Sequence, residues 1–106
     1  MLTNAVATTS GPVIGAAQGG VRAFKGVPFA TARRFAGATP PPAWTEPRRC
    51  TDYGAYAPQP GHLDHADETS CLSLNIWAPA ADHPLPVLVF IHGGAFVTGG
   101  GADYDG

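Results

Sequence analysis

Glycine and proline interrupt this chain so often that long helices are not expected. Its 106 residues include 14 glycines and 11 prolines, and marking them leaves one uninterrupted stretch of ordinary helix length, residues 62–78. The second half of that stretch alternates apolar and polar residues, which indicates a strand rather than a helix. A helical bundle is therefore excluded, and the sequence predicts short strands joined by loops.

Composition and charge exclude several classes of function. Hydrophobic residues make up 44% of the chain, which is typical of a globular rather than a disordered protein. Six basic and eight acidic residues give a net charge of -2, and no basic run is longer than two residues. Nucleic acid is therefore not an expected partner.

No targeting or membrane segment is visible. The N-terminal residues carry neither a basic start nor an apolar run of signal-peptide length. The longest apolar run, Val87 to Ile91, is far shorter than the roughly 20 residues of a membrane span. The sequence predicts a cytoplasmic protein without membrane contact, and secretion stays open if upstream sequence is missing.

The first 30 residues break into three β-prone pieces, which are Ala5 to Thr8, Pro12 to Ala17 and Val21 to Phe24. Glycine pairs or Ser-Gly between such short runs indicate hairpins, so a small antiparallel meander is expected. A long irregular stretch follows, with one helical turn predicted around residues 32–35. The alternation in Leu72 to Trp77 then predicts a strand with one polar-lined face.

The segment from Pro86 to Ile91 constrains the fold class most. Its consecutive apolar residues indicate a strand that is buried on both faces, as in sheets covered by helices. No earlier segment has an amphipathic helical pattern, and only 15 residues follow Ile91. The sequence therefore predicts the N-terminal part of a larger α/β domain.

The most informative motif follows that segment, where His92-Gly93-Gly94-Ala95 leads to three further glycines at 99–101. A glycine-rich turn after a buried strand lies where open α/β sheets bind ligands. Phosphate binding would require GxxxxGK[ST] or GxGxxG, and neither occurs. An oxyanion hole requires adjacent backbone N–H groups beside small side chains, which this strand-then-HGG order provides.

Two other groups of residues have no assigned chemistry. His62 and His65 are three residues apart, whereas the H-E-x-x-H motif of zinc proteases places its histidines four apart. A solvated acidic loop is favoured there, and neither a metal nor a cofactor is expected. Cys50 and Cys71 form no CxxC motif, so a single disulfide and two free buried thiols both remain open.

Eight short pieces of the chain resemble, in order, the N-terminal segment of the type-B carboxylesterases, the family of cholinesterases and bacterial para-nitrobenzyl esterases. They are Thr9 to Gly15, Phe24 to Ala30, Arg34-Phe35, Trp44, Tyr53-Gly54 with Pro58-Gln59, Cys71 to Trp77, Val89 to Phe96, and Tyr104 to Gly106. The resemblance implies that residues 1–106 are an incomplete N-terminal portion of a single α/β-hydrolase domain. That portion would hold a small antiparallel sheet and the first strands of the central mixed sheet.

The same resemblance implies hydrolysis of small carboxylic esters by a serine nucleophile with acidic and histidine partners. No G-x-S-x-G motif occurs in these 106 residues, so the triad is absent and the chain alone is expected to be inactive. Matching by position gives the chain the oxyanion hole, with the N–H groups of Gly94 and Ala95 as donors and Gly93 and His92 supporting the loop. The alternative is a non-catalytic remnant or a cholinesterase-like binding module.

Several positions depart from the family pattern. Ala57 stands where the family usually has the cysteine that pairs with the equivalent of Cys71. Glu68-Thr69-Ser70 replaces Ser-Glu-Asp, which puts in question an ion pair with Arg34. Phe96 is expected to be core or pocket wall, and the pattern leaves the oligomeric state and substrate preference undetermined.

Overall fold

The computed structural model describes every residue from Met1 to Gly106 and contains no α-helix. Five strands and two single-turn 3-10 helices follow one another as β1 (Val13–Ile14), β2 (Ala16–Gln18), β3 (Val21–Pro28), β4 (Arg48–Arg49), a 3-10 helix at Leu63–His65, β5 (Ser73–Pro79) and a 3-10 helix at Gly101–Asp103. The absence of long helices follows from the spacing of glycine and proline. No helix has the length and apolar character needed to cross a membrane.

A three-stranded antiparallel sheet in the order β2-β3-β5 forms the larger of two sheets. β2 and β3 make the predicted hairpin around Gly19-Gly20, whose φ values of 60° and 80° suit a two-residue turn. The rest of the predicted meander does not form, because Ala5 to Thr8 makes only an isolated bridge between Val6 and Val13, and β1 pairs with β4 in parallel. β5 lies along the other side of β3, with Val21 opposite Pro79 and Pro28 opposite Ser73. The predicted strand at 72–77 is therefore confirmed, and it belongs to the small antiparallel sheet.

A bulge interrupts the pairing of β3 with β5. Phe24 lies opposite Ile76 and Val27 opposite Leu74, so two residues of β3 face the single residue Asn75. Bulges of this kind bend the strand and redirect its side chains. Here the Asn75 side chain faces the bulge and accepts a hydrogen bond from the Gly26 N–H at 2.9 Å.

The core is small and lies where the two sheets meet. Val13, Phe24, Val27 and Cys50 are its buried apolar residues, and Trp44 packs against them. The Trp44 ring also donates from Nε1 to the backbone carbonyl of the segment before β1 at 2.8 Å. This core joins β1 and β3 to the residue after β4, the two-residue strand that pairs with β1 in parallel.

The strand predicted at 86–91 is not formed. Residues 86–91 have no strand partner, and Val87 to Ile91 are between 67% and 92% exposed. A strand forms only when another strand lies beside it to share backbone hydrogen bonds, and neither β2 nor β5, the outer strands of the larger sheet, pairs with residues 86–91. The prediction for Phe96 is likewise wrong, because its side chain is fully exposed.

Two expectations about the irregular stretch are also revised. The helical turn predicted at 32–35 is wrong: residues 33–36 form a reverse turn in which the Ala36 N–H donates to the Arg33 carbonyl at 3.0 Å, and the φ of 61° at Phe35 lies outside the right-handed helical region. The ion pair placed in question is present, since Arg34 contacts the Glu68 carboxylate through Nη2 at 2.8 Å and Nε at 3.0 Å. Both side chains are about half exposed or more, so this pair contributes roughly 0–1 kcal/mol.

The two cysteines are free thiols. Cys50 lies in the core, and burial raises the pKa of its thiol while the nearby Arg48 lowers it to a smaller extent. Cys71 is only half-buried. Of the two alternatives that the sequence left open, the structure therefore has two free thiols, of which one is fully buried.

Candidate functional site

The glycine-rich loop forms a tight turn. The Gly94 carbonyl accepts hydrogen bonds from the N–H groups of Val97 at 3.0 Å and Thr98 at 3.2 Å. Glycine is required at position 94 because its φ is +125° and an added Cβ would collide with the Thr98 carbonyl. At the tip, Ala95 and Phe96 also have positive φ values of 54° and 64°, a backbone strain that is common at functional sites.

The two predicted donors are free within the chain. Neither the Gly94 N–H nor the Ala95 N–H donates a hydrogen bond to any group of the protein. Every peptide bond is trans, so the N–H of each unit points opposite to its C=O. The Gly93 carbonyl is held by His92 and the Gly94 carbonyl by the turn, so both N–H groups point away from the internal bonds of the loop.

His92 is an exposed residue that contacts its own loop. Its Nδ1 lies 2.8 Å from the Gly93 carbonyl oxygen and donates to it in the tautomer that carries the proton on Nδ1. Through this contact the ring holds the peptide unit that carries the Gly94 N–H. No other protein group hydrogen-bonds to the ring.

Gln59 holds the far end of the loop and was not predicted as a site residue. It is 7% exposed, and its Nε2 donates to the Gly99 carbonyl at 2.9 Å and the Ala57 carbonyl at 3.1 Å. Its Oε1 accepts from the Gly99 N–H at 2.7 Å and the Thr98 hydroxyl at 2.9 Å. The amide therefore satisfies both backbone groups of Gly99.

The next two glycines are held by other segments. The Tyr56 ring packs against Gly100, so that a Cβ added at Gly100 would lie 2.6 Å from the Cδ1 atom of the ring. The Tyr56 hydroxyl donates to the Asp103 carboxylate at 2.6 Å. The other oxygen of Asp103 accepts from the Gly100 N–H at 2.9 Å. Asn75 of β5 donates from Nδ2 to the Gly101 carbonyl at 3.1 Å. The run at 99–101 is thus held by Asp103 of its own 3-10 helix and by side chains from two other segments, residues 56–59 and β5, so it is not a flexible turn.

The charges beside this run follow from these hydrogen bonds. The hydroxyl of Tyr56 is the main cause that lowers the pKa of the Asp103 carboxyl, and the Gly100 N–H adds to it. The same contact raises the pKa of the Tyr56 hydroxyl. At neutral pH the carboxylate therefore stays ionised and bonded to both partners.

The last residues are tied back to the sheet. The Tyr53 hydroxyl donates to the Tyr104 carbonyl at 3.0 Å, and the Lys25 ammonium lies 3.6 Å from the Asp105 carboxylate. Lys25 also sits 4.2 Å from the centre of the Tyr53 ring. The neighbouring Tyr53 is the largest cause that raises the pKa of Lys25, with Asp105 contributing in the same direction. These contacts connect the end of the loop to the bulge in β3.

His62 immediately precedes the first 3-10 helix, and His65 is its last residue. The His62 ring stacks on the Tyr56 ring, with centroids 4.2 Å apart and planes 19° from parallel. No three His, Cys, Asp or Glu side chains come together in a metal-binding group. His62 therefore contributes to the packing of Tyr56, which holds the glycine run.

Comparison with known proteins identifies the family. A model of the family described as "Carboxylesterase family" matches residues 2–106. The chain belongs to the carboxylesterase family. This carboxylesterase-family chain is 38% identical to para-nitrobenzyl esterase of Bacillus subtilis (strain 168), over 99% of its own length and 24% of that esterase. It is also 38% identical to phenmedipham hydrolase of Pseudarthrobacter oxydans, over 95% of its length and 24% of that hydrolase.

Solved structures agree with the sequence comparison. A PNB esterase superposes with a TM-score of 0.81 at 40% identity, over 90% of this chain and 21% of that one. A Geobacillus stearothermophilus carboxylesterase at pH 6.2 superposes with a TM-score of 0.80 at 41% identity, over 92% of this chain and 21% of that one. The predicted fold class, the N-terminal part of an α/β-hydrolase fold, is confirmed. The carboxylesterase-family chain spans about a quarter of the length of the curated relatives it matches.

Proposed function

We propose that this chain contributes to the active site of a carboxylic ester hydrolase, where the N–H groups of Gly94 and Ala95 are donors of the oxyanion hole. In acyl transfer the attacked carbonyl becomes a negatively charged tetrahedral oxygen, and fixed N–H donors stabilise that charge as it forms. The observation that carries the proposal is that these two adjacent N–H groups have no acceptor inside the protein. Their carbonyl partners are already held, which keeps the donors aimed outward.

The charge near the loop also suits this chemistry better than phosphate binding. Residues 92–106 contain Asp103 and Asp105 but no Lys or Arg, so this loop offers a phosphate no cation of its own. A neutral ester carbonyl needs no countercharge in its ground state, and fixed dipolar donors stabilise the transient oxyanion as it forms. Alanine at position 95 retains the backbone N–H donor. Its methyl group narrows the space beside that donor, which would limit the acyl groups that fit.

The same proposal predicts that residues 1–106 alone do not turn over esters. They contain no G-x-S-x-G sequence, and donors without a nucleophile cannot form an acyl-enzyme. We expect the purified chain to hydrolyse a p-nitrophenyl ester at the rate of a buffer blank. Turnover that a fluorophosphonate blocks would contradict this assignment of roles.

The oxyanion role is tested in the protein encoded by the complete open reading frame. Gly94→Ala places a methyl group against the Thr98 carbonyl and thereby turns the donors, so kcat for a p-nitrophenyl ester should fall by about 10²–10³. Gly37→Ala is the control, because Gly37 has open space around it. Equal kcat values for the two folded variants would refute the role of the loop, and a reading frame without a nucleophile would favour the non-catalytic alternative.

A further inference from the structure

Gln59 is the buried polar side chain of this structure, and all of its polar atoms are used on backbone or hydroxyl groups. We propose that Gln59 is the positioning residue that directs the N–H donors of Gly94 and Ala95. This role rests on the proposed function, in which the two N–H groups stabilise the oxyanion. Gln59 does not itself contact the place where an oxyanion would lie, because it reaches the loop through Gly99 and Thr98.

The first step is the paired contact with Gly99. The Gln59 amide accepts from the Gly99 N–H at 2.7 Å and donates to the Gly99 carbonyl at 2.9 Å. An amide offers a donor and an acceptor side by side, which neither a carboxylate nor an ammonium group does. Leaving either buried partner unsatisfied would cost about 1–3 kcal/mol. The pair therefore fixes both the place and the orientation of the Gly99 backbone.

The second step leads from Gly99 to the first donor. A Cβ added at Gly99 would lie 2.6 Å from the Gly93 carbonyl oxygen and 3.0 Å from the Nδ1 of His92. The Gly99 backbone thus packs closely against the His92 ring and the Gly93 carbonyl that it hydrogen-bonds. That carbonyl belongs to the same trans peptide unit as the Gly94 N–H, so holding one orients the other.

The third step leads from Thr98 to the second donor. The Thr98 hydroxyl donates to the Gln59 oxygen at 2.9 Å, while the Thr98 N–H donates to the Gly94 carbonyl at 3.2 Å. The Gly94 carbonyl shares a trans peptide unit with the Ala95 N–H. One side chain therefore connects to both donor peptides, each through a single intervening residue.

The test uses three variants of the protein from the complete open reading frame. Gln59→Met keeps the length of the side chain and removes its hydrogen bonds. Gln59→Glu keeps an acceptor for the Gly99 N–H and places a carboxylate against the Gly99 carbonyl. Gln18→Met is the matched control, because Gln18 is exposed at the end of β2 and the chemical change is identical.

Two readouts are measured on each variant. Amide hydrogen exchange by NMR should show that Gln59→Met speeds exchange of the Gly99 N–H at least about tenfold. Ester kinetics should show a kcat lowered by about 10- to 100-fold with KM little changed, because displaced donors weaken stabilisation of the transition state. Gln18→Met should alter neither readout.

The carboxylate variant provides a pH-dependent signature. As the pH falls and the introduced carboxyl is protonated, it regains a donor for the Gly99 carbonyl. The kcat of Gln59→Glu relative to the unsubstituted protein should therefore rise toward acidic pH, while that of Gln59→Met stays constant. A purely packing role for Gln59 would give both variants the same pH profile, and that result would overturn the proposal.

The outcomes separate this proposal from the proposed function. If the unsubstituted protein turns over no ester, the proposed function fails, and exchange at Gly99 and Thr98 still decides whether Gln59 holds the loop. If Gln59→Met matches Gln18→Met in exchange and kcat, the positioning role is refuted. If Gln59→Met does not fold, the acid-dependent recovery of Gln59→Glu supports the role, and its absence overturns it.

Discussion

Replacing Gly26 with alanine should weaken this fold more than any other single methyl addition in the β3 strand. Gly26 sits in the bulge opposite Asn75 with a φ of +67°, and its N–H donates to the Asn75 side chain. A Cβ built there lies 2.7 Å from the Asp52 carbonyl oxygen and 3.1 Å from the Gly54 nitrogen. Both neighbours are backbone atoms, so they cannot rotate away as a side chain would.

The magnitude follows from three terms. Alanine in the left-handed region costs about 1–2 kcal/mol. Forcing the neighbouring backbone to move adds about 1–3 kcal/mol, as in other overpacked sites. Against this, alanine restricts the unfolded chain and returns about 0.4–1 kcal/mol. We therefore expect Gly26→Ala to lower the free energy of unfolding by about 3 kcal/mol, within a range of about 1–5 kcal/mol.

Two other glycines separate the strain from the collision. Gly20 has a φ of +80° with nothing within 4 Å of an added Cβ, and Gly37 has neither a positive φ nor a neighbour. Gly20→Ala should thus lower the free energy of unfolding by only about 1 kcal/mol. Gly37→Ala should leave it unchanged or raise it by up to about 1 kcal/mol.

Guanidinium denaturation followed by tryptophan fluorescence measures all three variants. Trp77 lies in β5 and Trp44 packs on the core, so both report on the region around the bulge. If Gly26→Ala and Gly20→Ala were equally destabilised, the collision with the Asp52 carbonyl would not contribute. If all three variants matched the unsubstituted protein, the reasoning about this bulge would be refuted.

Two further predictions concern ionisable groups. Cys50 should react with a disulfide reagent far more slowly than Cys71, because it is buried and its thiol pKa is raised; equal rates would contradict the buried position. Asp103 has a lowered pKa, so its stabilising contribution is present above the ordinary value of 3.8 and is lost as the pH falls through the lower folded value. Tyr56→Phe should raise that pKa toward 3.8, as measured by carboxyl NMR, and an unchanged pKa would exclude the hydroxyl as its cause.

Local patterns in the sequence predicted the strands that form from neighbouring pieces. The Gly19-Gly20 pair indicated the hairpin of β2 and β3, and the alternation in 72–77 indicated β5, because turn chemistry and side-chain period act within a few residues. The same rule failed at 86–91. An apolar run reports a preference for burial, whereas a strand also needs a neighbouring edge, and that requirement does not appear in the run itself.

The sequence predicted the backbone donors of the candidate site, but it did not predict the side chains that hold the loop in place. The glycines at 93 and 94 stand out in the sequence because they follow an apolar run, and the structure requires glycine at position 94, where an added Cβ would collide with the Thr98 carbonyl. Gln59 is 40 residues from its partner Gly99, and nothing in the letters between them marks the pair. A glutamine flanked by two prolines was visible as part of the family resemblance, but its burial and its partners required the fold.

The order in which these parts occur along the chain has a consequence for synthesis on the ribosome. The buried core needs nothing beyond Cys50, and β3 finds its last partner within residues 73–79. We therefore expect the small sheet to form before the loop leaves the exit tunnel. The glycine-rich loop would then pack against a sheet that is already folded. Stalled nascent chains with residues 1–79 outside the tunnel should resist proteolysis across β3, and cleavage there as fast as in an unfolded chain would refute this order.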